Sequence, residues 1–458
     1  MVELARTDVR HNPAATPEMR TFANIRLEDA ERPVHDLLKR YGFSAPIPLH
    51  FADLSPEVKG FPHMKFSDWA KYLLDSRRLC QQLCGCSSFS KMQRVLGMFW
   101  HRFQQIEAEH EIFERARSGL IDLTRTIPIY SHSDEGRAYK KEAVWLLSIH
   151  GCLGRGTRQY LSKGKHMAPL SRCQMGLNFA GHTMSTQFLL ATMLREVSKR
   201  HPGVLQELLR LVAEDLQQLV ETGVTSEDGL RHVYFCHLAT KGDLPALKSM
   251  AGGVTRSFSN IPRAPRSRKA CAGICPQCLA GREADDTAGW RAYPFEDLGA
   301  FPCWEPTIDQ EDPWHTFPAI MHGQPINPTK RSLFFQFDLW HSVHLGIAKH
   351  FVASALVCVV ESRLECMQGH RSVDSRLEWI SDQYVAFCRA KKLSMWVTQI
   401  DREELNFPSS SACPCGKWNK GSASTALMLF LGEFCKLHIV HKTDDEVLLQ
   451  IAPRFCAW

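Results

Sequence analysis

Apolar positions along the chain fall first into a helical rhythm, then into short strand-like runs, then back into helices. Residues 1–33 are polar, carry Asn12-Pro13 and Pro33, and read as a loose leader. Residues 34–119 form a helical N-terminal region. Asp68–Leu74 opens an amphipathic stretch with Ser67 placed to cap it, and Met92–Ala116 continues it, with Val95, Met98, Phe99, Phe103 and Ile106 recurring at helical spacing.

The texture changes over residues 120–250. Thr126–His132 is a β-branched run ending at Ser133-Asp134-Glu135-Gly136, and Ala143–His150 is a second strand closed by the Gly-rich stretch Gly151–Gly156. A third strand is expected around Met175–Ala180. Val204–Glu221 then places Leu205, Leu208, Leu209, Val212, Leu216 and Val220 on one helical stripe, with Gly223 as its terminator. Arg231–Leu238 is a fourth strand, followed by Lys241-Gly242-Asp243. Residues 251–330 hold Gly252-Gly253, a basic loop, four Cys and many Pro and Trp, and read as an irregular insertion. Ser332–Phe337 is a fifth strand running into Asp338; with the helical pattern from His341 it makes up residues 331–392. A linker and a last helix, Ala423–Val440, occupy residues 393–458. The class predicted is α/β, with a mixed sheet of the α+β kind.

Composition narrows the setting. A chain of 458 residues fits two or three domains, or one large domain with an insertion. Apolar residues at 44% and charged ones at 23% exclude wholesale disorder, while a net charge of +6 is too dilute to specify a nucleic-acid partner. Seventeen Cys is an odd count, too sparse for a disulfide scaffold. Met1–Arg20 lacks the apolar core of a secretory signal, and the apolar run Phe351–Val360 is about half a membrane span. The expectation is an intracellular protein, nuclear or cytoplasmic, neither secreted nor membrane-bound, with mostly free thiols.

Three groups of residues carry candidate chemistry. Asp134 and Asp243 stand just beyond the first and fourth strands, where two carboxylates can share Mg²⁺ or Mn²⁺ ions about 3.5–4 Å apart and serve phosphodiester chemistry; the plain alternative is that both are turn residues. Cys275 and Cys278 form a CxxC that can hold Zn²⁺ with two thiolates, with Cys271, Cys303, His315 and His341 as candidates for the other two ligands. Unligated thiols and redox chemistry are the alternatives. Asp338 and His341 lie on one face of a helix start, with His344 a turn further on, so that Asp338 either orients His341 or caps the helix. Arg263, Arg266, Arg268 and Lys269 form a basic loop that fits phosphate contacts or plain solvated surface.

In order and spacing, Ser133-Asp134-Glu135-Gly136, Gly242-Asp243-Leu244-Pro245-Ala246, Ile274–Cys278 and Phe337–His341 resemble the transposase of CACTA (En/Spm-type) DNA transposons. The resemblance extends more loosely to the Plavaka and Kyakuja–Dileera–Zisupton relatives and spans roughly residues 120–440. It implies an RNase H-like core with a Cys-containing insertion and a DDE triad using Mg²⁺ or Mn²⁺. Asp134 and Asp243 become the first two triad members, with Asp338 and His341 as the accessory Asp-x-x-His element. It further implies DNA partners (transposon ends and target), a nuclear setting and a homo-oligomer. The third acid is expected on the helix over 423–440, where Glu433 is the only acid; Glu361 and Glu365 are fallbacks. Two other readings stand beside this one: a catalytically inactive descendant that binds DNA or protein through the same fold, and an unrelated zinc-stabilised scaffold. A wide separation of Asp134 from Asp243 marks the unrelated scaffold, and with the two close, the presence of a third acid decides between the enzyme and its inactive descendant.

Overall fold

The computed structural model describes every residue except 1, 29, 42–45, 138–141, 155–185, 253–272, 288, 311, 315, 363, 409–413, 441 and 457–458. Its fold is mixed α/β. Two compact units are present: Met1–Thr240 with Lys248–Phe334, and Lys241–Leu247 with Phe335–Trp458.

The first unit opens with three helices where a loose leader was expected: α1 (Val2–His11), α2 (Pro17–Ala23) and α3 (Glu31–Arg40). Of the two prolines that suggested a loop, Pro33 sits in the first turn of α3, where a missing N–H leaves no bond unmade, and Pro13 lies in the turn between α1 and α2. Pro17 begins α2 behind Thr16, whose hydroxyl accepts from Met19 N–H. Val2, Ala5, Phe22 and Ile25 form a small core there. The short strands β1 (His50–Ala52) and β2 (Phe61–His63) pair antiparallel. Next come α4 (Phe66–Asp75), α5 (Leu79–Cys84), α6 (Phe89–Ile106) and α7 (Glu111–Arg117). Ser67 lies inside α4 rather than capping it. The cap comes instead from Asp215, whose carboxylate accepts from Phe66 N–H at 2.7 Å, Ser67 N–H at 3.1 Å and the Ser67 hydroxyl at 2.5 Å.

The main sheet begins with β3 (Thr126–Arg137), β4 (Ala143–Gly151) and β5 (Gln187–Leu194), paired antiparallel in that order. β3 does not stop at His132: the Ser133–Gly136 stretch stays in the ladder, with Asp134 opposite Leu146. The third strand is β5; the segment Met175–Ala180, expected to supply it, lies outside the described residues. After α8 (Arg195–Arg200), the long helix α9 (Val204–Glu221) buries Leu208, Leu209, Val212, Leu216 and Val220 as its stripe requires, and Gly223 follows its end at φ 66°. β6 (Val224–Thr225) pairs with β7 (His232–Gly242), which continues through Lys241-Gly242. The sheet order is β5-β4-β3-β7-β6, with β8 (Phe335–Phe337) pairing β7. β7 is buried along most of its length, as a central strand must be. Within the insertion, the described part holds turns and short 3₁₀ segments.

The second unit begins inside β7. Asp243 caps α10 (Leu244–Met250), accepting from Ala246 N–H at 2.8 Å. After β8 comes a π-helix, Trp340–Ile347, then α11 (Ala348–Glu361), α12 (Val373–Lys391), α13 (Gly421–His438) and α14 (Glu446–Cys456). Val352, Leu356, Val360, Leu377, Tyr384, Leu427 and Leu431 form its core. Trp340–Glu361 is apolar and long enough to cross a membrane by length and composition, yet its inner face is spent on that core.

Candidate metal centre

Buried polar side chains fix the alignment of β3 and β7. Ser131 Oγ lies 2.7 Å from Thr240 Oγ1, and His237 Nε2 lies 3.0 Å from the same Ser131 hydroxyl. Ser131 and Thr240 stand 109 residues apart, and so do Asp134 and Asp243. That shared offset is the signature of two strands running the same way in one register. Burial pushes the His237 imidazole down to about 3, so it is neutral, and Phe334 packs edge-on against it at 4.9 Å. This network carried no signal in the sequence, where Ser, Thr and His inside apolar strands look incidental.

Past the end of β7, Asp243 stands in the second unit, as do Asp338 and His341, and each of the three is partly exposed. Asp134, within β3, accepts at Oδ1 from Glu135 N–H at 2.8 Å, while Glu135 pairs with Arg195 at 3.1 Å. Asp338 divides its carboxylate: Oδ1 accepts from Trp340 N–H at 2.7 Å and Oδ2 lies 2.8 Å from His341 Nδ1. Asp338 N–H donates to Gly242 O at 3.0 Å, which ties it to the strand carrying Asp243. A carboxylate can only accept here, so the His341 proton sits on Nδ1 and the lone pair on Nε2. Carboxylate and imidazole together are donor types that hold divalent cations such as Mn²⁺.

His341 was expected as an accessory residue beside Asp338, and the structure pairs the two. Glu433, expected as the third acid, is half-exposed on α13, three turns along it, and pairs with Lys391 Nζ at 3.7 Å. Near the start of that helix stand Ser424, whose hydroxyl donates to His344 O at 2.5 Å, and Thr425, 3.1 Å from His344 Nδ1. Glu361 and Glu365, the fallbacks, are exposed.

Cys275 and Cys278 hydrogen-bond to each other in a tight turn, where Gln277 N–H points at Cys275 Sγ from 3.4 Å. The pair gives up its first proton readily: the bond from Cys278 brings Cys275 down to about 7, while that bond and burial push Cys278 up. Near Cys303 the backbone N–H donates to Asp297 Oδ2 at 2.8 Å. Among the described residues no third ligand gathers at the pair. Cys271, His315 and the basic loop of Arg263, Arg266, Arg268 and Lys269 lie outside the described residues. No protein-family model matches the chain, and a search of curated proteins finds no match to it.

Proposed function

We propose that this chain is an RNase H-like, transposase-derived protein that uses Asp134 and Asp243 to bind Mg²⁺ or Mn²⁺ and acts on the phosphodiester backbone of DNA. The observation that carries the reading is the Asp338–His341 pair, Oδ2 to Nδ1 at 2.8 Å, standing in the order and spacing that the resemblance gives it after Asp134 and Asp243. It is supported by the return of β7, the strand expected over Arg231–Leu238, to lie beside the first strand of the main sheet, β3, the arrangement the resemblance implies. Bound there, the metal would polarise the phosphate and lower the pKa of an attacking water. The chain's own residues hold the donors in place: Asp338 keeps His341 in the Nδ1–H tautomer, and the Ser131–Thr240–His237 network keeps the two strands in register. Glu433, occupied by Lys391, favours a second reading, in which the descendant binds metal and DNA without cutting.

Calorimetric titration with Mn²⁺, followed by nicking of supercoiled plasmid in Mn²⁺, tests this. The wild type is expected to bind Mn²⁺ and nick, and Asp134→Asn and Asp243→Asn to lose both. Binding without nicking selects the second reading. A wild type that binds no Mn²⁺ rejects both.

A further inference from the structure

Antiparallel pairing of β1 with β2 sets His50 directly opposite His63, so the two imidazoles project from the same face of the ribbon. Their ring centroids stand 5.8 Å apart with the planes at 41°. Asp68, in the first turn of α4, places Oδ2 2.7 Å from His50 Nε2. A carboxylate only accepts, so the neutral His50 ring carries its proton on Nε2 and its lone pair on Nδ1. His63 is 7% exposed, and its Nδ1 is buried without a hydrogen-bond partner. Buried polar atoms left so are few in native proteins, and each calls for an explanation. Burial lowers the His63 pKa, with the Phe61 carbonyl pulling the other way, and the ring is neutral at pH 7. All of these residues belong to the first compact unit.

We propose that His50 and His63 bind a zinc ion through their two Nδ1 atoms, with Asp68 as the positioning residue that fixes the His50 ring. Two imidazoles on one tetrahedral zinc, each nitrogen about 2.0–2.1 Å from it, stand with their centroids about 5 Å apart, so a small turn of either ring closes the observed 5.8 Å. A carboxylate on the far nitrogen of a ligating histidine fixes its tautomer and raises its basicity, which is the part Asp68 plays. The His50 side chain is partly exposed, so water fills the remaining positions. Imidazole suits Zn²⁺ whereas Mg²⁺ takes oxygen, and the site is independent of the metal chemistry proposed for Asp134 and Asp243. Two protein ligands rather than four make it an exchangeable clip, not a permanent structural zinc. What it clips is a two-stranded ribbon, marginal by itself, that reaches α4 through Asp68 and β5 through Met64 N–H on Leu190 O at 2.7 Å.

The test maps modification of His50 by peptide mass after a pulse of diethylpyrocarbonate on the full chain, with Zn²⁺, with Mg²⁺ and with neither. Zn²⁺ is expected to protect His50 in the wild type, and Mg²⁺ to leave it unprotected. His63→Gln is expected to lose the protection, and Asp68→Asn to need about 10–100-fold more Zn²⁺ for the same protection. No protection in the wild type overturns the site, and so does protection that survives in a folded His63→Gln, which would mean that His50 acts alone. His50→Gln, at a partly exposed position, carries the test should His63→Gln not fold. It is expected to bind one Zn²⁺ fewer per chain than the wild type in equilibrium dialysis, and an equal count overturns the site.

Discussion

Asp338 bonds Trp340 through one oxygen and His341 through the other, and this division leaves His341 Nε2 as the nitrogen not bonded to Asp338. The pairing was legible because a three-residue spacing at a helix start leaves few ways for two side chains to miss each other. The partner of Glu433 was not legible, since a helical stripe does not say which basic residue a half-exposed acid meets, here Lys391. The thiols divide in the same local way. Burial raises Cys80, Cys84, Cys236, Cys358, Cys366 and Cys388, whereas the hydrogen bond from Cys278 lowers Cys275 to about 7. Of these, Cys275 is expected to alkylate first, half-maximally near pH 7, with the rest protected at that pH. Peptide mass mapping after a pulse of iodoacetamide checks it; labelling of Cys84 or Cys236 ahead of Cys275 would contradict it.

At the level of elements, the amphipathic stripes held best. The helix α9 has the bounds its periodicity predicts, because a six-residue apolar stripe can be buried only one way. Short strands fared worse: β1, β2 and β5 carry no run distinctive enough to separate them from loop. The π-helix is invisible to a pattern search, since its extra residue per turn blurs the stripe. Asp215 was missed for another reason. It lies within the α9 stripe at 8% exposure and works at a distance, accepting three hydrogen bonds at the start of α4. Asp215→Ala leaves two amides and a hydroxyl without their acceptor and is expected to cost about 2–3 kcal/mol. Ser67→Ala, which deletes one of the three bonds, should cost about 1 kcal/mol. Urea unfolding of both variants measures the difference, and equal losses would show that the two amides contribute nothing.

For the molecule as a whole, two buried imidazoles set an acid limit. Desolvation lowers His237 to about 3 and His110 to about 4, against 6.5 in an unfolded chain. His110 is further committed to the neutral form, because its Nδ1 accepts from Ile112 N–H. The unfolded chain therefore takes up protons that the folded chain refuses. Stability from these groups is complete above about pH 6.5 and is lost as pH falls toward their folded values, about 2 kcal/mol for each by pH 5. Urea midpoints at pH 7.5 and pH 5 should differ accordingly, and His237→Gln should flatten the slope; a pH-independent midpoint would mean both rings are solvated.

The cap that Asp215 gives α4 spans 149 residues of chain. At a synthesis rate of about 5–20 residues per second, the start of α4 waits roughly 7–30 s on the ribosome for its acceptor. Through that interval Phe66, fully buried once folding is complete, has neither a bond for its amide nor the Phe188 and Phe235 rings that later enclose its side chain. Nascent chains that have not reached Asp215 thus display an aromatic, uncapped helix start, the kind of surface that chaperones hold.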